Sequence, residues 1–463
     1  MKYIDQAKIE GLLNKADKSD AAGLEAILGK SKLLQRLSLQ EAATLLAADD
    51  PVSIKNIFET AALVKDRIYG KRVVLFAPLY ISNFCSNTCL YCAFNAGNSI
   101  THRKALTTDE IKEQVAWLLK RGHKRILMVS GESGPHGLKP IDYYVEAVRA
   151  IYSVKVGPHQ IKRVNVNAAP LSVEEFKKLK EAGIGTYQLF QETYHEQTYR
   201  RVHPQGPKSD PDNRIDALNR AFAAGIDDVG VGVLYGLYDW KFETLAMLMH
   251  VEALEKKFGL GPHTISVPRI EPAAGVEFTR HVPYAVKDEE FKRLVAVLRL
   301  AVPYTGIILS TRETPDMRDE LFSLGVSQVS AESRTSPGGY ASDGQGAGHD
   351  AQFILNDYRS LDEVVGSLVT RNFIPSFCAA CYRKERTGKS FMDLAKPGTI
   401  KGKCSMNALI TLKEYLDDFA SAEVKQKGYQ LIEECKKGLD TDSAKQLAKF
   451  FADAEQGARD RFV

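Results

Sequence analysis

Residues 72–94 read Arg72-Val73-Val74-Leu75-Phe76-Ala77-Pro78-Leu79-Tyr80-Ile81-Ser82-Asn83-Phe84-Cys85-Ser86-Asn87-Thr88-Cys89-Leu90-Tyr91-Cys92-Ala93-Phe94. The opening run, Arg72–Ile81, is apolar almost throughout, as a strand buried on both faces must be. It passes directly into a loop that carries Cys85, Cys89 and Cys92. Chemistry placed where a strand ends is the habit of parallel α/β barrels.

Working outward from that stretch, seven more short runs follow: Arg125–Ser130, Arg163–Ala168, Tyr187–Gln191, Asp228–Leu234, Thr264–Ile270, Gly306–Thr311 and Val326–Ala331. Helix-like segments separate them, at Thr108–Arg121, Ile141–Ser153, Ser172–Ala182, Asp212–Ala224, Lys241–Phe258, Asp288–Val302 and Pro315–Leu324. Alternation of this kind means parallel crossovers. Eight strands close a (β/α)8 TIM-type barrel, although a doubly wound open sheet has the same alternation. The first 70 residues read as a helical extension, in which Asp20 and Ser38 are candidate N-caps and Glu41 completes a capping box with Ser38. The expected division is an extension over 1–70, a barrel over 71–372 and a mainly helical module over 373–463.

The bulk composition excludes several classes. With 463 residues, 62 basic and 58 acidic side chains and a net charge of +4, the chain has no basic excess that would mark a nucleic-acid binder. No apolar run is long enough to span a bilayer and Met1–Gln6 has no secretory character, so a cytoplasmic setting without membrane or nucleic-acid partners is expected. The Gly-rich segment from Ser336 to Asp350 lacks the Lys-Ser/Thr ending of a P-loop and is expected to be a mobile loop at the barrel mouth.

Six of the seven cysteines form two tight triplets, Cys85/Cys89/Cys92 and Cys378/Cys381/Cys404, a pattern of metal binding and not of disulfides. Cys435 stands alone in a helical stretch and reads as a structural thiol. Three thiolates on one loop wrap one face of a cubane and leave the fourth iron open for exchangeable chemistry. The competing reading of either triplet is zinc completed by a distant His, such as His349 for the second. An Arg at a strand end suits a carboxylate clamp, which directs attention to Arg312 with Ser310 beside it; an ion pair of Arg312 with Glu313 is the alternative.

The Cys-x3-Cys-x2-Cys spacing, with the aromatic Tyr91 before the last cysteine, resembles the signature of radical S-adenosylmethionine (SAM) enzymes. The resemblance implies that an open iron of an N-terminal [4Fe–4S] cluster chelates SAM and that Tyr91 lies against the adenine. It further implies that Gly131, Glu132 and Ser133, with Gly-Glu-Ser in place of the commoner Gly-Gly-Glu, meet the methionyl amine, and that Glu192 is a further SAM contact. Joined to the C-terminal Cys-x2-Cys-x22-Cys module, the pattern is similar to the tyrosine lyases that mature [FeFe]-hydrogenase; Val267–Pro272 and Ser333–Tyr340 share in the likeness. More distantly the barrel resembles the thiamine-pathway tyrosine lyase, which stops at dehydroglycine.

That family cleaves the Cα–Cβ bond of L-tyrosine to p-cresol and dehydroglycine and converts the latter to CO and cyanide on iron. The likeness therefore implies a second [4Fe–4S] cluster on Cys378, Cys381 and Cys404. It also implies an additional iron ligated by His263, L-cysteine as iron ligand, and a catalytic role for Arg312, Ser310 and His263. Other hydrogenase maturation proteins and an electron donor such as ferredoxin or flavodoxin are the implied partners.

Overall fold

The computed structural model describes residues 1–16, 21–341 and 350–463. Asp20, His349 and the second half of the Gly-rich segment lie outside the described residues. We number the strands β1 Arg72–Ser82, β2 Arg125–Ser130, β3 Arg163–Asn167, β4 Tyr187–Glu192, β5 Val229–Val233, β6 Thr264–Ser266, β7 Gly306–Leu309, β8 Gln328–Ser330 and β9 Ile374–Ser376. A small antiparallel hairpin, Lys155–Val156 with His159–Gln160, is outside this numbering.

Strands β1 to β8 pair in sequence order, all parallel, and β8 closes on β1 through Val74↔Gln328, Leu75↔Val329 and Phe76↔Ser330. The expected barrel is therefore present. Its length lets β1 serve three neighbours: its upper half takes β2 from Ala77↔Ile126, its middle takes β8, and its lower end takes β9 at Arg72↔Ile374. Strand β9 is the element missing from the sequence reading, in which alternation stops after Phe373. It carries the sheet past residue 372 and delivers the chain to Cys378.

The helices Gln6–Lys15, Ala21–Lys32, Leu39–Ala47 and Pro51–Tyr69 form the extension. Ser38 and Glu41 make the expected capping box: the Ser38 hydroxyl accepts from Glu41 N–H and the Glu41 carboxylate accepts from Ser38 N–H. After β9 come Ala380–Arg383, Gly388–Ala395, Ile400–Asp418, Ala422–Lys436 and Thr441–Glu455. Extension, barrel and C-terminal helices share one continuous apolar core, from Ile9 through Leu75 and Val231 to Leu412 and Phe451. Lys124, beside β2, and Glu414, on the helix Ile400–Asp418, form a buried ion pair across that junction. Cys435 is half-buried against the core, as a structural thiol would be.

The described part of the Gly-rich segment is anchored, contrary to the mobile loop expected there. Tyr340 is buried, its hydroxyl donates to the Pro78 carbonyl at 2.6 Å, and its N–H donates to Gln114 Oε1 at 2.7 Å. No described helix is long and apolar enough to cross a membrane.

Candidate active site

The loop that follows β1 carries Cys85, Cys89 and Cys92 over the C-terminal mouth of the barrel. There it meets residues from the upper ends of β2, β4, β6, β7 and β8 around a cavity of about 180 Å³. Gly131 ends β2 where this loop crosses it. A Cβ on Gly131 would stand 2.1 Å from the Phe84 carbonyl oxygen, so only glycine lets the cysteine loop lie so close.

The three thiols are buried or half-buried, and burial pushes Cys89 up to about 12 and Cys92 to about 11. Ligation would release those protons, because thiolates are what a metal takes. Asn87 Nδ2 lies 3.5 Å from Cys85 Sγ and Gln352 Nε2 lies 3.7 Å from Cys92 Sγ, so amide donors already face two of the sulfurs. Hydrogen bonds to cluster sulfurs are among the protein's means of tuning such centres. Among the described residues no three His, Cys, Asp or Glu side chains converge on a single metal ion; thiolates that bind separate irons of a cubane stand wider apart. The donor set fits a cluster.

Beside the thiols lies a buried charge network. Glu132 accepts from Arg214 Nη1 at 2.7 Å and from Asn87 Nδ2 at 2.8 Å, and Glu192 accepts from Lys208 Nζ at 2.7 Å. Burial works against the Glu132 charge, but Arg214 and then Lys208 outweigh it and hold the carboxyl below the usual carboxylate range. Glu192 is the last residue of β4 and not, as read from sequence, the residue after it. A bulge there against β5 gives it a φ of 72°, an uncommon conformation for a non-glycine residue. The Tyr91 hydroxyl bonds to His203 Nε2 at 2.7 Å, and Tyr91 lines the cavity. Ser133 does not: its N–H donates to the Phe84 carbonyl at 3.3 Å and it is absent from the cavity lining.

On the opposite wall stand Ser310 and Arg312, just beyond β7. Glu313 turns away from Arg312 and pairs with Arg269, so the ion-pair alternative for Arg312 is not realised. The Arg312 guanidinium stacks over the Phe353 ring, 3.3 Å from its centroid, and gives Nη1 to the Arg269 carbonyl. Glu271, nearby, is half-buried and pushed up by burial.

Cys378, Cys381 and Cys404 gather at the other mouth, around a smaller cavity of about 50 Å³ at the N-terminal ends of the strands. Cys378 follows β9, Cys381 lies in the short helix Ala380–Arg383, and Cys404 in the first turns of Ile400–Asp418. Arg72, Arg125 and Arg386 line the same cavity. Three thiolates walled by guanidinium groups suit an anionic cluster. His263, immediately before β6, faces this cavity with its ring 4.3 Å from Phe391 and Nδ1 3.9 Å from Asp228 Oδ2. Burial lowers its pKa, which favours the neutral imidazole that binds metals.

Residues 79–251 match the model of the radical SAM superfamily, and residues 266–374 match the biotin and thiamin synthesis associated domain. A crystal structure of HydG, a maturase of the [FeFe]-hydrogenase, is 45% identical, with the whole of each chain covered and a TM-score of 0.96. The chain belongs to the HydG family. HydG from Carboxydothermus hydrogenoformans is also similar, at 41% identity over 96% of this chain and 97% of that one, with a TM-score of 0.83. The 2-iminoacetate synthase of Escherichia coli is 31% identical over 361 residues, 77% of this chain and 89% of the relative. The HydG likeness thus extends across both thiol triplets.

Of the residues singled out from sequence, the upper chamber gathers all three N-terminal cysteines with Tyr91, Gly131, Glu132, Glu192, Ser310 and Arg312. The lower chamber gathers His263 with the three C-terminal cysteines. Sequence reasoning missed Lys208, Arg214, Arg72 and Asp228. Their positions depend on crossovers, and no local spacing marks them. Asn87, between two of the cysteines, was in view and could have been read as a donor to sulfur.

Proposed function

We propose that the chain is a radical SAM lyase that divides L-tyrosine into p-cresol and dehydroglycine in the upper chamber. The lower chamber then forms CO and cyanide on iron for assembly of the [FeFe]-hydrogenase active site. The observation that carries this reading is the pair of thiol triplets at opposite mouths of one barrel.

Cys85, Cys89 and Cys92 would hold the first cluster, which with SAM supplies a 5′-deoxyadenosyl radical that takes a hydrogen atom from the tyrosine amino group. This chain's own residues hold the participants in place. Tyr91 offers a ring face to the adenine, and the Glu132–Arg214 and Glu192–Lys208 pairs fix a polar wall whose charges are already balanced. Arg312, with its plane set by Phe353, offers the tyrosine carboxylate a two-pronged donor, and Ser310 adds a hydroxyl. The buried strand ends exclude water from a reactive fragment.

Cys378, Cys381 and Cys404 would hold the second cluster, which supplies the place where CO and cyanide collect. His263 is the proposed protein ligand of an additional iron, with L-cysteine as a further ligand. Dehydroglycine, HN=CH–CO2H, divides into CO, HCN and water with no electrons gained or lost. The chamber therefore has to hold the fragment and manage protons. Other maturation proteins receive the product, and ferredoxin or flavodoxin is the proposed electron donor. The proposed setting is the cytoplasm, where thiols stay reduced.

The second reading is a tyrosine lyase that stops at dehydroglycine. Incubating anaerobically reconstituted protein with SAM, reductant and tyrosine separates the two. Cyanide and CO accompanying p-cresol support the proposal; p-cresol alone supports the shorter reaction.

A further inference from the structure

Each chamber contains an arginine with no carboxylate partner among the described residues. In the upper chamber it is Arg312. In the lower it is Arg72, the first residue of β1, which lines the cavity with Cys378, Cys404 and His263. The Arg72 side chain makes no hydrogen bond or ion pair among the described residues, and its Nε is buried without a partner. Its one marked contact is the Tyr69 ring, 4.9 Å from centroid to guanidinium carbon, which sets the plane of the fork.

The other two guanidinium groups that line the cavity each have a hydrogen bond that Arg72 lacks: Arg125 gives Nη1 to the Cys378 carbonyl at 2.6 Å and Arg386 gives Nη2 to the Val463 carbonyl at 2.8 Å, although their Nε atoms, like that of Arg72, are buried without a partner. The chamber's own carboxylate does not take Arg72 either. Both Asp228 oxygens are buried without a hydrogen-bond partner, and the His263 ring nitrogen Nδ1 lies 3.9 Å from Oδ2.

We propose that Arg72 is the carboxylate receptor of the lower chamber and grips the two-carbon imino acid released above. This inference rests on the tyrosine-lyase reading and deepens it. Dehydroglycine carries one carboxylate, and a planar guanidinium is its bidentate complement. Conversion breaks the C–C bond and one carboxyl C–O bond, and yields CO, HCN and water. Escape has a different outcome: addition of one water to the imine gives glyoxylate and ammonia. The ratio of cyanide to glyoxylate therefore reports how firmly the fragment is held.

A structural role for Arg72 is charge balance. Burial opposes its charge, but Cys404, the Tyr69 phenol, Cys378 and Cys381 more than offset this, and its pKa lies above the usual value. Lysine would meet that requirement equally well. It lacks the fork.

The test uses the full chain, reconstituted anaerobically, as wild type, Arg72→Lys and Arg72→Gln. Cyanide and glyoxylate are measured per p-cresol, alongside iron and sulfide content. We expect cyanide per p-cresol to fall about tenfold in Arg72→Lys, in the range of a lost charge-assisted bond, with glyoxylate rising to match. Glyoxylate itself, added as a stable carboxylate, should perturb the paramagnetic signal of the C-terminal cluster in wild type at about a tenth of the concentration needed in Arg72→Lys. If Arg72→Gln loses the lower cluster, Arg72→Lys decides the matter. A wild-type ratio and wild-type glyoxylate response in a cluster-replete Arg72→Lys protein overturn the proposal. Wild-type protein that makes p-cresol but no cyanide fails the reading beneath it, and is recognised before any variant is compared.

Discussion

The Glu313 carboxylate is held by Arg269, whose Nε lies 3.0 Å from Oε1, and so the adjacent Arg312 faces the upper chamber without a carboxylate partner. Two consecutive charged residues are thus given opposite tasks. Arg269 ties the loop after β6 to the loop after β7, and also pairs with Asp288 at 2.7 Å. Arg312 is half-buried, burial lowers its pKa, and a bound carboxylate would restore what burial removes.

That arrangement predicts the behaviour of Arg312→Lys. The planar donor over Phe353 is lost while a positive charge remains. A charge-assisted hydrogen bond is worth about 1.5–3 kcal/mol, so kcat/KM for p-cresol formation should fall roughly 10- to 150-fold. Steady-state assays at varied tyrosine check this, and the loss should appear largely as a raised KM for tyrosine.

The two mouths should be separable by mutation. Cys381→Ala should still form p-cresol while CO release falls below detection, because its thiol belongs to the lower cavity alone. Cys89→Ala should cleave no SAM at all, since its thiol belongs to the upper one. Paired assays for 5′-deoxyadenosine, p-cresol and CO on both variants provide the check. Simultaneous loss of all three products in Cys381→Ala would contradict separate sites.

Much of this was legible in the chain. The eight barrel strands were found because fully buried parallel strands leave unbroken apolar runs. The three upper cysteines meet at one cavity as their spacing suggests, because a single short loop carries them. Several strands end earlier than their apolar runs: β6 stops at Ser266 and not at Ile270, because Pro268 has no N–H to give the ladder. Strand β9 was missed for a related reason, since Ile374-Pro375-Ser376 is short and has proline at its centre. It is tolerated at the edge beside β1. Arg72 and His263 look from sequence like ordinary polar residues at strand starts. Only the docking of the C-terminal helices turns that mouth into a chamber.

That docking depends on a buried ion pair. Lys124 and Glu414 are almost fully enclosed, and Glu414 also accepts from the Asp460 N–H at 2.6 Å. Removing one partner of such a pair costs about 3–5 kcal/mol. Lys124→Ala should therefore be destabilised by that amount in anaerobic urea unfolding. It should also lose iron from the lower site before the upper one.

A pH effect is expected just beyond the end of β4. Glu243, fully buried on the helix Trp240–Phe258, accepts from the Tyr194 N–H at 2.8 Å and is pushed up to about 8 by burial. The folded chain keeps this proton where the unfolded chain has lost it. The stability it contributes is complete below the unfolded value near 4.5 and is lost as pH rises through about 8. Glu243→Gln should remove up to about 5 kcal/mol of that decline, at 1.36 kcal/mol per pH unit. Thermal midpoints of both proteins from pH 5 to 8 should diverge, with the variant gaining relative stability as pH rises.

In the proposed function the two thiol triplets each hold a cluster of their own. Iron and acid-labile sulfide counts on anaerobically reconstituted wild type and Cys378→Ala test it most directly. The prediction is about nine irons in the wild type, eight in the two cubanes and one additional, and about four in the variant, whose upper cluster still cleaves SAM. Equal iron in the two proteins, or zinc in place of iron and sulfide, would contradict it.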